Sequence, residues 1–180
     1  MNIQIIVGSV REGRIAIKVA EWILEQIQSY GLTHITAEIV DLKTWDLPIF
    51  AGAHPPLTGI YDQPKQQEWA AQIDKGNAFI FISPEYNHGY SPALKNALDY
   101  LGKEWNAKPA AYISYGGSNG SRSIDQIRQV ATQLGLIDSN ATVEIRDIFK
   151  RNQAEGFEGN EFDNKALRAA VDKLIKYATA

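Results

Sequence analysis

The chain has 180 residues, 44% of them hydrophobic and 22% charged, with a formal net charge of −3. That is the size and composition of one ordinary globular domain, spanning 1–180, which argues against disorder. So mild an acidic balance offers no field for holding nucleic acid or an anionic membrane. Cysteine is absent, which excludes disulfides, thiolate nucleophiles, cysteine-ligated zinc and iron–sulfur clusters.

The three histidines, His34, His54 and His88, are too scattered to pair as metal ligands. Met1-Asn2-Ile3-Gln4 runs into an apolar segment with no basic region or cleavage-type site. No apolar run approaches the roughly 18 residues needed to span a bilayer. A soluble, cytoplasmic protein is expected.

Short apolar strands alternate with longer helical segments. Ile3–Val7 is β-branched and stops at Gly8, and Ile15, Ala16, Val19, Ala20, Ile23, Leu24 and Ile27 then form a helical stripe ending at Gly31. Ile35–Val40 alternates apolar and polar residues before a loop over 43–64 that carries four of the seven prolines. Loops of that length are often functional. Trp69, Ala70 and Ile73 mark a second helix. Ala78–Ile82 is a continuous apolar strand, and a third helix starts at Pro92 with Leu94, Ala97, Leu98 and Leu101 as its stripe.

Ala110–Ser114 is the fourth strand, followed by a loop with Gly116, Gly117 and Gly120. Ile124–Leu134 forms a helix, Thr142–Ile145 a fifth, alternating strand, and a polar segment over 151–161 leads to a last helix bearing Leu167–Ile175. This βαβαβαβαβα pattern implies an α/β fold, a parallel sheet with helices on both faces. Continuous apolar strands belong in the centre, and alternating ones tolerate an edge. With the second and fifth alternating, the order is 2-1-3-4-5: the three-layer, five-stranded flavodoxin-like arrangement, whose ligands bind beyond the strand ends at the switch point between the first and third strands.

The loop after the first strand reads Gly8-Ser9-Val10-Arg11-Glu12-Gly13-Arg14 and opens a helix. Amides at a helix N-terminus, the Ser9 hydroxyl and two guanidinium groups suit an anion. Two arginines there oppose the helix dipole unless an anion is bound; taken without its position, the same loop is a polar turn with solvated arginines. It lacks the spacing of a P-loop or of a dinucleotide fingerprint, so one phosphate monoester is the economical reading. After the third strand, Tyr86, Asn87 and Tyr90 in Ser83-Pro84-Glu85-Tyr86-Asn87-His88-Gly89-Tyr90-Ser91-Pro92 offer aromatic surface and amide groups for a planar heterocycle. Taken alone, Tyr90 reads as packing, His88 as a rim residue and Glu85 as a helix-end partner.

Gly8–Arg14 together with Pro84-Glu-Tyr-Asn-His-Gly-Tyr-Ser-Pro-Ala-Leu-Lys-Asn-Ala-Leu-Asp-Tyr100 resembles the NADPH-dependent FMN reductase family, which includes flavin, quinone, azo-dye and chromate reductases. The resemblance implies FMN with its phosphate at Ser9, Arg11, Arg14 and the amides of Ile15 and Ala16. It implies a flavin ring against Pro84, Glu85, Tyr86, Asn87 and His88, with Ser114, Tyr115, Gly116 and Gly117 on another side. The chain departs from the family pattern at Arg14 and Ala16, where many members carry serine and asparagine.

The family implies hydride transfer from NADPH, or NADH, through FMN to a quinone or similar small acceptor in ping-pong fashion, with no catalytic side chain required. It also implies a homodimer or homotetramer. Trp105, Tyr100 and the helix from Pro92 offer apolar surface for that contact unless they pack within one subunit, and the 43–64 loop is a lid or interface element. The rivals are a flavodoxin-type electron carrier, which usually needs an acidic docking face, and a non-catalytic FMN-binding protein. A receiver domain fails because Ser83-Pro84 stands where its aspartate belongs, and a serine hydrolase fails because no histidine follows His88.

Overall fold

The computed structural model describes residues 1–154 and 156–179. In chain order the elements are β1 (Asn2–Val7), α1 (Ala16–Ser29), β2 (Thr36–Asp41), α2 (Leu42–Trp45), α3 (Pro64–Asp74), β3 (Ala78–Pro84) and α4 (Pro92–Asp99). There follow β4 (Pro109–Tyr115), α5 (Ser121–Gln133), β5 (Ile137–Ile145), α6 (Ile148–Arg151), β6 (Asn152–Gln153), β7 (Gly156–Phe157) and α7 (Glu161–Ala178).

β1 to β5 form one sheet in the order β2-β1-β3-β4-β5, with every pairing parallel. The arrangement is flavodoxin-like, as the sequence pattern implied. β3 and β4 are buried along their whole length, whereas β5 alternates buried and open positions and β2 is mostly part-exposed. Alternate side chains of the strands feed two separate cores. Ile3, Ile5, Val7, Ile80, Ile82, Ile113, Val143 and Ile145 pack against α1 and α7. Ile6, Phe79, Phe81 and Tyr112 pack on the other face against Trp69, Leu94, Leu98, Trp105 and Ile127 from the α3–α5 side.

The α4 start follows from its sequence: Ser91 is the N-cap, its Oγ accepting from Leu94 N at 3.4 Å, and Pro92 takes the first helical position. Three segments differ from their sequence reading. β5 begins at Ile137, five residues before the expected start. Its register with β4 shifts between Ala110 and Tyr112, and Asn140 there adopts a φ of +49°. This bulge breaks the alternation that marks a strand. The long loop contains α2 and a single 3₁₀ turn at Pro56–Thr58, and the polar segment after α6 folds into the β6–β7 antiparallel hairpin.

A fourth difference concerns the aromatics expected on the surface. Trp105 and Tyr100 are buried; the Trp105 indole donates to Leu98 O at 3.2 Å and the Tyr100 hydroxyl to Pro48 O at 2.7 Å. They pack within the subunit. The exposed apolar side chains of this region are Ile49, Leu57 and Ile60, all in the loop between α2 and α3. Among the described residues no helix is long and apolar enough to cross a membrane.

Candidate functional site

The C-terminal ends of β1, β3 and β4 bring three loops together, and buried serines fix their relation. Gly8 N donates to Ile82 O at 2.8 Å, extending the β1–β3 ladder by one residue. A Cβ at Gly8 would stand 2.7 Å from that carbonyl oxygen, so the close approach requires glycine. Ser91 Oγ donates to Gly8 O at 2.5 Å, and Ser91 N donates to Ser83 Oγ at 2.9 Å. The start of α4 is thereby tied to both the β1 and β3 ends.

Beyond these ties lies a cavity of about 310 Å³ lined by Ser9, Arg11, Glu12, Gly13, Arg14, Ile15, Pro84, Glu85, Tyr86, Tyr115, Gly116, Phe149 and Asn152. On its β1 side, Ser9 is buried and its hydroxyl lies 2.8 Å from the Tyr86 phenol. The Arg11 guanidinium sits 5.7 Å from the Tyr86 ring centre, within cation–π reach. Arg14 pairs through Nη2 with the Asp41 carboxylate at the end of β2, the two side chains being only 10% and 13% exposed. Its Nε and Nη1 are buried with no hydrogen-bond partner among the described residues.

The N-terminus of α1 adjoins this loop. It has neither a side-chain cap nor an acidic residue in its first turn, so no carboxylate offsets the positive end of its dipole. A buried guanidinium with two idle donors beside such a helix end has the chemistry to take an anion. Tyr115 closes the floor. Burial pushes its hydroxyl pKa up and Tyr86 adds to this, while the Ala16 amide and the Arg11 and Arg14 charges pull the other way.

The other wall is the turn after β3. Tyr86 and Gly89 form an antiparallel bridge, with Tyr86 N donating to Gly89 O at 2.7 Å and Gly89 N to Tyr86 O at 3.0 Å. Between them Asn87 and His88 have φ values of +48° and +75°, as a tight two-residue hairpin turn demands. Gln126 Nε2 donates to His88 O at 2.9 Å and steadies the turn from α5. Glu85 is almost buried. One carboxylate oxygen takes Arg122 at 3.3 Å, and the other, Oε2, is buried without a partner among the described residues. Gly116, with φ +155°, lies against it, where a Cβ would come within 2.9 Å of Glu85 Cβ.

Of the residues singled out from sequence, Ser9, Arg11, Arg14, Ile15, Pro84, Glu85, Tyr86, Tyr115 and Gly116 line this one cavity. Ala16 is buried behind it as the first residue of α1. Asn87 and His88 form the exposed tip of the β3 turn, and Gly117 is exposed on the β4 loop. Ser114 lies beneath the floor, its hydroxyl donating to Ser83 O at 2.6 Å. Phe149 and Asn152 were not anticipated. They arrive from the far edge of the sheet, on a polar segment with no periodicity to mark it.

The NADPH-dependent FMN reductase family model matches residues 1–150. The chain is 39% identical over 132 residues to the NAD(P)H-dependent FMN reductase of Schizosaccharomyces pombe, a stretch covering 72% of this chain and 65% of that one, just under two thirds of its length. It is 33% identical over 139 residues to the NAD(P)H-dependent FMN reductase of Saccharomyces cerevisiae, covering 72% and 73%. In three dimensions it is similar to the flavoenzyme NAD(P)H:(acceptor) oxidoreductase of Paracoccus denitrificans, with a TM-score of 0.78, 22% identity and 98% of each chain covered, a likeness of fold. With the cavity at the switch point built from the two motifs that carry the resemblance, the chain belongs to the NADPH-dependent FMN reductase family.

Proposed function

We propose that the protein is an oxidoreductase of one FMN-binding domain that takes hydride from NADPH or NADH and reduces a flavin, a quinone or a similar small acceptor. The observation that carries this is Arg14: a buried guanidinium with Nε and Nη1 unpartnered, facing the cavity beside the uncapped start of α1. Such donors fit a phosphate monoester. Glu85 Oε2, the idle acceptor on the opposite wall, fits an N–H at the edge of a heterocycle. The residues present therefore suit FMN at both ends.

In this reading Ser9, Arg11, Arg14 and the leading amides of α1 hold the phosphate. The Pro84–Tyr86 backbone, Tyr115 and Gly116 form the walls that orient the ring, with Asn87 and His88 at the rim and Gly117 beside them. Bound FMN supplies the redox chemistry: two electrons and a proton arrive as hydride from the nicotinamide and leave, with a further proton from solvent, on the acceptor. The chain's part is to anchor, orient and hydrogen-bond.

We infer a homodimer or homotetramer working in the cytoplasm. Supporting self-association are Ile49, Leu57 and Ile60 on the loop between α2 and α3, with Ile49 82% exposed, since apolar side chains grouped on one loop suit a contact between subunits. The testing experiment is NADPH oxidation by purified protein supplied with FMN and offered a quinone, with light scattering for assembly. Turnover that needs both FMN and acceptor supports the reading; absence of NADPH oxidation with every acceptor tried overturns it.

A further inference from the structure

The segment leaving β5 runs past the end of the family-model match at residue 150, yet it supplies Phe149 and Asn152 to the cavity wall. Packing and ion pairing hold the hairpin against the two helices on this face. Phe157 in β7 meets Trp22 of α1 edge to face at 5.4 Å, and the Arg151 guanidinium lies 4.8 Å from the Phe157 ring centre. Arg151 also pairs with Asp163 in the capping box of α7, and donates to Glu158 O at 2.9 Å and Arg146 O at 3.1 Å. Both helices on this face of the sheet thus hold the hairpin down.

Asn152 is the point where that anchored segment reaches the loop after β1. Lys18, one turn beyond Arg14 on α1, donates its Nζ to Asn152 Oδ1 at 3.2 Å and also to Gln153 O. A lysine only donates, so the carboxamide is turned with its oxygen toward Lys18, and among the described residues its NH₂ has no acceptor. Phe149 beside it is 72% exposed, an aromatic ring at the cavity edge and outside either core.

We propose that Asn152 is a binding residue for the phosphorylated end of the FMN side chain, that Lys18 is its positioning residue, and that Phe149 screens that end from water. The inference rests on the FMN reading above. It gives the phosphate a third side: Ser9, Arg11 and Arg14 from the loop, the leading amides from α1, and Asn152 from the hairpin.

The test is equilibrium titration of the full-length, flavin-free chain with FMN and, separately, with riboflavin, which lacks the phosphate, both followed by flavin fluorescence. Asn152→Asp retains the acceptor for Lys18 but replaces the NH₂ donors with a second carboxylate oxygen. It should raise the Kd for FMN about tenfold or more, the scale of a hydrogen bond to a charged group, and leave riboflavin within about twofold. The melting temperature should not fall. Lys18→Met should move the FMN to riboflavin ratio in the same direction by a smaller factor, and Lys18→Arg should restore it.

FMN affinity in Asn152→Asp equal to that of the wild type overturns the inference. So does a parallel loss of FMN and riboflavin with a lowered melting temperature, which is the signature of a merely structural latch. Wild-type protein that binds neither flavin overturns the functional reading itself, and this inference with it.

Discussion

The Ser9 hydroxyl and the Tyr86 phenol lie 2.8 Å apart and join the loop after β1 to the turn after β3. The two motifs are 77 residues apart in sequence, and this contact makes them one site. Either hydroxyl can donate in this contact; when the serine proton goes to a bound anion, the Tyr86 phenol is the donor to Ser9 Oγ.

We therefore expect Ser9→Ala to weaken FMN binding about 10- to 100-fold, the range for a hydrogen bond to a charged partner. Tyr86→Phe keeps the ring and loses only the orienting phenol, so its cost should be a few-fold, on the order of a neutral hydrogen bond. Fluorescence titration of both variants checks the ranking; a larger loss in Tyr86→Phe than in Ser9→Ala would contradict it.

Arg14 and Asp41 form a nearly buried pair. Removing the carboxylate leaves the guanidinium without a counter-charge, so Asp41→Asn should cost stability, on the order of 2–4 kcal/mol without flavin. The same change frees Nη2 for the phosphate, so FMN should bind the variant more tightly than the wild type and narrow the stability gap when saturating. Urea unfolding with and without FMN measures both; an equal gap in the two conditions would show that Arg14 does not face the phosphate.

Gly116 stands at φ +155° with no room for a Cβ beside Glu85. Gly116→Ala should lower stability by about 1–3 kcal/mol through backbone strain and displace the Glu85 wall, reducing affinity for FMN and riboflavin alike. Thermal melts and the two titrations check this; unchanged riboflavin binding would place the ring elsewhere.

At the opposite end of the strands, Glu38 accepts from Asn2 Nδ2 at 2.8 Å and Gln4 Nε2 at 3.0 Å. Burial pushes its pKa up, but the donated hydrogen bonds from Asn2, Gln4 and Gln72 and the Lys75 charge outweigh that and hold it below the ordinary carboxylate value. A depressed native pKa means that the ionised group adds stability above its unfolded value, and that this contribution fades as pH falls through the native one. Glu38→Gln should flatten that acid-side loss while leaving FMN affinity unchanged. Denaturation midpoints across pH, beside a neutral-pH FMN titration, test both halves.

The sheet order was legible because burial on two faces leaves a direct mark: Ala78–Ile82 and Ala110–Ser114 are unbroken apolar runs, and their strands lie at the centre. The loops after β1 and β3 were legible because Gly8, Ser9, Pro84 and Tyr86 do local work whose chemistry shows in residue type. The first half of β5 was hidden by Asp138, Ser139 and Asn140, polar residues accommodated by a bulge, with Ser139 Oγ donating to Ala110 O at 2.6 Å. Trp105 and Tyr100 misled because nothing local distinguishes an aromatic under a helix from one on its surface. Phe149 and Asn152 reach the cavity only through Trp22, Lys18 and Asp163, contacts between residues up to 135 positions apart, and such proximity has no local signature.

The most direct test of the central claim is the visible spectrum of the purified protein, desalted after incubation with FMN and then given NADPH without oxygen. Flavin colour that is retained and bleaches on adding NADPH is the expected result. Colour retained but unchanged by NADPH would contradict the enzyme and favour a carrier, and no retained colour, followed by a flat direct titration, would contradict the FMN site itself.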